Sequence, residues 1–290
     1  CQFYTLRFVD KDPVAEQASA LLRKIQDSNF TSDHFLELCD EATYYKYLLR
    51  SIDLLSSPIN THSMPSSSQI SFEASSKGNK VLYGGEGADE IFLGYGCYRN
   101  FAQTSIYNKK IEDNFKNINF DSLNDKYEVE DSIHSYAKEI KSKLSQYIND
   151  QDLLNLKTQS FVDTFIQLNN VGLLGSDTIN SDHGIECRTP FVRKNLLEFG
   201  LSSPVNKLVS TTKMKIPLTN MFIKVFGEEA VMNKMGFAGY PNETLAKLPS
   251  FKDWYIWNYL PYEKIVNYKL NQAEAWKLIN LEWFFRICFN

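Results

Sequence analysis

The chain has 290 residues, 43% hydrophobic and 14% aromatic, enough to bury a substantial core as one large domain or two modest ones. Its 31 basic and 35 acidic residues leave a formal charge of −4, which excludes both the basic footprint of a nucleic-acid binder and a polybasic membrane face. No apolar run approaches the ~20 residues that cross a bilayer, and the opening residues lack a signal-peptide pattern, so a cytosolic protein is expected. Cys1, Cys39, Cys97, Cys187 and Cys288 are scattered and never form CxxC. That spacing argues against a disulfide frame or a zinc site and reads as small buried hydrophobes.

In chain order, "FYTLRFVD" from Phe3 to Asp10 is rich in strand formers, and Asp12 with Pro13 then supplies a helix cap and a first helical position. Ala15, Ala18, Leu21, Leu22 and Ile25 follow at helical spacing. A second short strand, "HFLEL" (His34 to Leu38), leads into a helix whose face carries Tyr44, Tyr47, Leu48 and Leu55. After a loop, "SSPINTHSMPSSS", the segment "QISFEASSKG" reads as a weak helix stopped by Gly78, and "KVLYGG" as a buried strand. Strand, helix, strand, helix, strand predicts a parallel, doubly wound α/β sheet. Residues 104–160 are charged and helical, and "VEDSIHSYAKEIKSKLSQYI" is their clearest amphipathic stretch. Phe161, Phe165, Leu168 and Leu173 mark a further helical face, and Trp254, Trp257, Trp276 and Trp283 mark helices packed by aromatics. The expected organisation is an α/β layer over residues 1–100, continuous with a largely helical portion over 101–290.

The chemistry concentrates in "VLYGGEGADEIFLGYGCYRN", Val81 to Asn100. Ligands of open parallel sheets bind beyond the carboxyl ends of strands, and Gly84, Gly85 and Gly87 let one approach the backbone closely. Glu86, Asp89 and Glu90 are wrong for a naked phosphate. Carboxylates facing a nucleotide imply a hard cation between them, and Mg2+ is the one that bridges phosphates to one or two carboxylates. Glu86 is alternatively a base. The plain alternative is that Asp89 and Glu90 only cap a helix, since acids are favoured in a first turn.

Four blocks in order, "GEGADEIFLGYGCYR", "DTINSDHGIECRTPFV", "TTKMKIPLTNMF" and "KMGFAGYP", resemble the signatures of the asparagine synthetase family, in its synthetase half. The resemblance runs over nearly the whole chain. It implies an ATP-pyrophosphatase fold of the adenine nucleotide alpha hydrolase type. It also implies a reaction in which ATP adenylates a carboxylate, releasing pyrophosphate, before an amine attacks. By position, Asp89 matches the Mg2+ ligand and Glu86 the acid that takes a proton from the amine. Lys215 in "KIPL" matches the lysine that steadies charge on phosphate and acyl oxygens, with Lys213 as the alternative register. Asp177, Glu186 and Arg188 match polar positions of the wall beside the nucleotide, although Glu186 and Arg188 also suit a structural ion pair. His183 and His34 match too, and each reads more simply as a satisfied hydrogen-bonding group.

The resemblance has gaps. The family's SGGxDS loop, which grips the ATP phosphates and supplies a second Mg2+-binding aspartate, occurs nowhere in these 290 residues. "FYTLRF" corresponds to the family's second strand, so the strand between it and "KVLYGG" is missing too, which leaves two ladders of backbone groups to be paired. Thr178 stands in place of an arginine, and Gly172 in place of an acid. Three arrangements fit: a fragment of a longer protein, a partner polypeptide that supplies strand and loop, or a relative that no longer binds ATP. "CQFYTLRF" enters the synthetase region directly, so Cys1 is not expected to be a glutaminase nucleophile, and ammonia or a larger amine comes from elsewhere. The expected activity is an ATP- and Mg2+-dependent amide-forming ligase; the alternative is a non-catalytic, synthetase-like subunit that pairs with another chain.

Overall fold

The computed structural model describes residues 1–9, 12–27, 32–59, 61–99, 129–228, 231, 251–258 and 272–289. The block from Lys234 to Pro241 and the first part of the charged segment, residues 104–128, lie outside them. The chain divides into two compact units, residues 1–82, 175–188 and 223–290 in one and 83–174 and 189–222 in the other.

The first unit begins with β1 (Gln2–Arg7), α1 (Pro13–Asp27) and β2 (Asp33–Leu38). The two strands pair in parallel, Gln2 opposite Asp33 through Arg7 opposite Leu38, with α1 as the crossover between them. Asp12 caps α1: its Oδ1 accepts from the Val14 and Ala15 amides, and its Oδ2 from the amide of Phe8. Side chains alternate across the pair. Arg7 and Leu36 lie on the α1 side, whereas Leu6 packs against Cys39, Tyr44 and Ile70 on the other. Helices therefore cover both faces of this strand pair.

The continuous sheet expected from the sequence is not what the described residues form. β3 (Val81–Tyr83) pairs with β4 (Glu186–Arg188), and no strand among the described residues joins that pair to β1–β2. The amide of Glu186 donates to Lys80 O, so a segment with no strand signature takes the place beside β3. β4 escapes a reading by periodicity because it is three residues long with a charge at each end.

α2 (Glu41–Leu55) is capped by Asp40 and buries Tyr44, Tyr47, Leu48 and Ile52, close to the predicted face. α3 spans Met64–Ser76, starting inside the predicted loop. Pro65 opens it, and its buried side is made of Ser66, Ser68, Gln69, Ser71 and Ala74. Small polar residues allow close packing on α2 yet leave no apolar stripe to read. Leu48, Ile52, Ile59, Met64 and Ile179 form a core against Trp276 and Trp283 of α11 (Gln272–Cys288). Asn280 of α11 donates to Ile59 O at 2.6 Å and accepts from its amide at 3.1 Å, serving the backbone as a strand neighbour would. Glu282, also buried, accepts from the amides of Tyr255 and Ile256, both at 2.9 Å. His183 meets Ser68 Oγ at 3.0 Å and His34 meets Thr5 Oγ1 at 3.0 Å, the plain readings of both. The cysteines depart from expectation: Cys39 is buried, whereas Cys1 and Cys288, near the ends of the chain, are exposed.

The second unit holds α4 (Ala88–Ile91), α5 (Val129–Leu144), α6 (Gln151–Val162), a π-helix (Asp163–Leu173), α8 (Lys194–Ser202), α9 (Val205–Leu208) and the first turns of α10 (Ile216–Phe226), whereas α7 (Leu174–Asp182) belongs from residue 175 onward to the first unit. The π-helix takes up the stretch expected to show an ordinary helical face. Ile91, Phe92, Leu93, Tyr98, Leu156, Val205, Leu208 and Val209 form the core. No helix among the described residues is long and apolar enough to cross a membrane.

Lys157 of α6 is buried and donates to the Gly200 and Leu201 carbonyls at 3.3 and 2.8 Å, finishing the last turn of α8. Burial lowers its pKa from 10.5 to about 8. Between those values the unfolded chain holds the proton and the folded one does not, so folding stability rises with pH from about 8 to 10.5. The urea midpoint of the native protein, measured against that of Lys157→Met, should gain over this interval; parallel profiles would contradict the burial.

Candidate active site

The turn after β3 is built by backbone geometry. Gly87 has φ +88°, a region that L side chains rarely occupy, and a Cβ there would lie 2.8 Å from Val192 Cγ2. It opens the single turn α4, in which Ile91 N donates to Gly87 O at 3.0 Å. Four residues carry little macrodipole, so the start of α4 offers an anion no more than one turn of backbone amides. The turn ends on Leu93 at φ +55°, and Gly94 N donates back to Asp89 O at 2.8 Å. A left-handed leucine costs about 1–2 kcal/mol, which full burial of its side chain, worth ~2 kcal/mol, offsets. Leu93 is fully buried, so the sequence keeps leucine where glycine is usual.

The three acids of the turn separate by environment. Glu90 is buried and faces the helices: its Oε1 accepts from Tyr95 Oη at 2.5 Å, and its carbonyl accepts from Ser160 Oγ at 3.1 Å. Burial raises its pKa and, with the Glu90 charge beside it, that of Tyr95. A second acid, Asp163 at the head of the π-helix, accepts from Tyr98 Oη and from Gln159 Nε2. Two acid and tyrosine pairs thus brace the segment that carries Asp89. Ser160, Asp163, Tyr95 and Tyr98 were not singled out from sequence; the closely spaced tyrosines of "GYGCYR" are the signal that was available.

Asp89 points elsewhere. Its Oδ2 lies 3.1 Å from Lys215 Nζ, and the two side chains are 27% and 26% exposed. Lys215 precedes α10, accepts from Thr219 N at 2.9 Å and has φ +49°, a strained conformation for a lysine. Gly94 seats the pair: a Cβ there would be 2.2 Å from Asp89 Oδ1 and 2.2 Å from Lys215 Cε. Lys213, the alternative register, is exposed, and its carbonyl accepts from Ser210 N. Glu86 folds its carboxylate back over Gly84, where a Cβ would be 2.0 Å from Oε2, and that oxygen is buried with no hydrogen-bond partner among the described residues. Leaving such an atom unpaired costs about 1–3 kcal/mol, a cost expected where an acceptor is kept ready. Gly85 is exposed with open space around its Cβ position.

The remaining predicted residues belong to the other unit. Asp177 is exposed in the first turn of α7, and Arg188 Nε donates to exposed Glu186 Oε1 at 2.8 Å across β4, which holds the Glu186 carboxyl below its usual range. A cavity of about 310 Å3 in that unit is lined by Arg7, Asp12, Glu16, Ser19 and Arg23 among others, none of them a predicted site residue. Among the described residues no cluster of three or more His, Cys, Asp or Glu could hold a metal by protein ligands alone.

The model of a protein family described as asparagine synthase matches residues 23–256 of the chain. No curated protein matches it.

Proposed function

The chain belongs to the asparagine synthase family, whose members are ATP-dependent amide-forming ligases, and from that premise we propose that it adenylates a carboxylate and passes the acyl group to an amine. The observation that carries the proposal is the ion pair of Lys215 and Asp89 in the glycine-shaped turn after β3. Two residues far apart in sequence meet there with strained backbone on either side, which is the economy of a site rather than of a core.

Each residue has a role in this reading. Lys215 places a positive charge where oxygens of phosphate and acyl group become more negative. Glu86 keeps an unpaired oxygen able to take the proton that an ammonium must lose before it attacks. One carboxylate is a fitting donor set for Mg2+, which usually combines one or two carboxylates with substrate phosphates and water, so Asp89 would hold it. When bound, Mg2+ supplies charge neutralisation at the phosphates. Gly84, Gly85 and Gly87 leave the backbone of the turn open to the nucleotide. The phosphate grip that SGGxDS provides in relatives would come from polypeptide outside these 290 residues, either a further segment or a second chain, which would also offer a strand to β1 and β3, each of which pairs with one strand among the described residues.

The test is ATP–pyrophosphate exchange with aspartate and a panel of related carboxylates, run on the chain supplemented with a polypeptide bearing SGGxDS. Exchange should require Mg2+ and fall by about 100-fold or more in Asp89→Ala, the usual scale for removing one electrostatic stabiliser. No exchange, no heat on mixing with Mg-ATP and a co-purifying partner would instead mark a synthetase-shaped scaffold.

A further inference from the structure

The cation that Asp89 holds in this structure is the ammonium of Lys215, and the geometry points to that contact as a latch: we propose that a divalent ion gains Asp89 by exchange, displacing Lys215 and thereby releasing it towards the nucleotide. This rests on the reading of Asp89 as the carboxylate that takes the metal.

Three observations carry it. The first is the contact itself. Lys215 Nζ sits 3.1 Å from Oδ2, and Cε lies along the backbone of Gly94 beside Oδ1, so the lysine stem and the carboxylate share one seat. A divalent ion binds carboxylate oxygen at about 2.0–2.1 Å and cannot share that oxygen with an ammonium, because the two cations would repel at contact distance. The second is that the pair is not locked. Both side chains are about one quarter exposed, 26% and 27%, so solvent screens the attraction and leaves it weak enough to be exchanged. The third is the backbone. Lys215 is held at φ +49°, one of three non-glycine residues at positive φ among those described. A strained residue persists while its contacts over-determine it and relaxes when they are lost. While it is paired, Asp89 neutralises part of the charge that the lysine would bring to a phosphate, so its proposed task gains from the move.

The neighbouring charges agree with this direction. Glu90, next in sequence to Asp89, is turned into the core onto Tyr95, which leaves it out of the exchange. Lys213, two residues from Lys215, is exposed and serves as an internal standard.

The experiment uses the full chain and metal alone. Acetylation of Lys215 by an amine-reactive ester, followed by mass spectrometry, should accelerate about fivefold on adding millimolar Mg2+, the release expected from a pair of this exposure. Lys213 should be unaffected, and in Asp89→Asn Lys215 should react fast with or without metal. Independently, Lys215→Met should bind Mn2+, followed by electron paramagnetic resonance, about fivefold more tightly than the native chain, with the gain abolished in the double variant with Asp89→Asn. A Lys215 rate insensitive to Mg2+, or Mn2+ binding that is unchanged or weaker in Lys215→Met, overturns the latch. Neither outcome touches the ligase reading, which the exchange assay judges separately.

Discussion

Replacing Gly94 by alanine is expected to lower pyrophosphate exchange by about 100-fold while leaving the fold nearly as stable as before, since an ångström of misplacement in a catalytic group costs about that much. The asymmetry follows from what the added carbon meets. Its neighbours at 2.2 Å are Asp89 Oδ1 and Lys215 Cε, the ends of two flexible side chains rather than backbone. Both can swing aside at a cost of about 1 kcal/mol or less each, the price of a poor rotamer. Gly94 is not at positive φ, so alanine fits its backbone, and the amide that donates to Asp89 O is kept. The variant therefore moves the two groups that the proposed chemistry needs and little else. The measurement is exchange beside a thermal melt. A drop of many degrees in the melt would place Gly94 in the scaffold, and unchanged exchange would remove the Asp89 and Lys215 seat from the reaction.

Much of the first unit was legible because burial there follows simple periods. Tyr44, Tyr47 and Leu48 recur at helical spacing and are buried, and the parallel pairing of β1 with β2 follows from strand, helix and strand in short succession. What was not legible has physical causes. α3 begins four or five residues before any apolar pattern, since its buried side is serine. The π-helix keeps a hydrophobic sequence but winds it more widely, so a reading at 3.6 residues per turn puts Phe165 on a packed face when it is in fact exposed. β3 takes β4 rather than a strand of the β1–β2 pair as its neighbour, and pairing partners are set by tertiary structure that no local pattern encodes.

The site divides in the same way. Glu86 and Asp89 stood out in the sequence by their place after a strand among glycines, but only the resemblance of ordered blocks to a family separated them from a cap, and Lys215 was singled out by that resemblance alone. The sequence also placed Glu90 with the other two acids, whereas the fold turns it inward onto Tyr95 as a brace. Adjacent helical positions point about 100° apart, so Asp89 and Glu90 could not both face one ligand. Gly94 was visible as a letter of the motif but not as the seat of an ion pair, because its partner Lys215 is brought there by chain folding. The left-handed backbone at Leu93 and Lys215 runs against the intrinsic preference of both residues; full burial offsets it at Leu93, and Lys215 adopts it where its carbonyl accepts from Thr219 N at the start of α10.

Glu86→Gln should divide the reaction in two. Adenylation asks nothing of a base near the amine, so pyrophosphate exchange should stay within about threefold of the native rate, whereas amide formation should fall by about 10²–10⁴-fold, the usual contribution of a positioned base. Glutamine is nearly isosteric and can occupy the same place over Gly84, where the carboxylate now lies. It also replaces one oxygen by an NH2 group that donates and does not accept. If that group falls at the buried Oε2 position, which has no donor among the described residues, folding stability should change little. Raising the pH should partly rescue amide formation with a simple amine, because more of the nucleophile then arrives already deprotonated and the lost base matters less. Measuring both half-reactions over pH 7 to 9.5 decides it. An equal loss in both would make Glu86 a residue that shapes the turn, and a loss of exchange alone would move it to the nucleotide side of the chemistry.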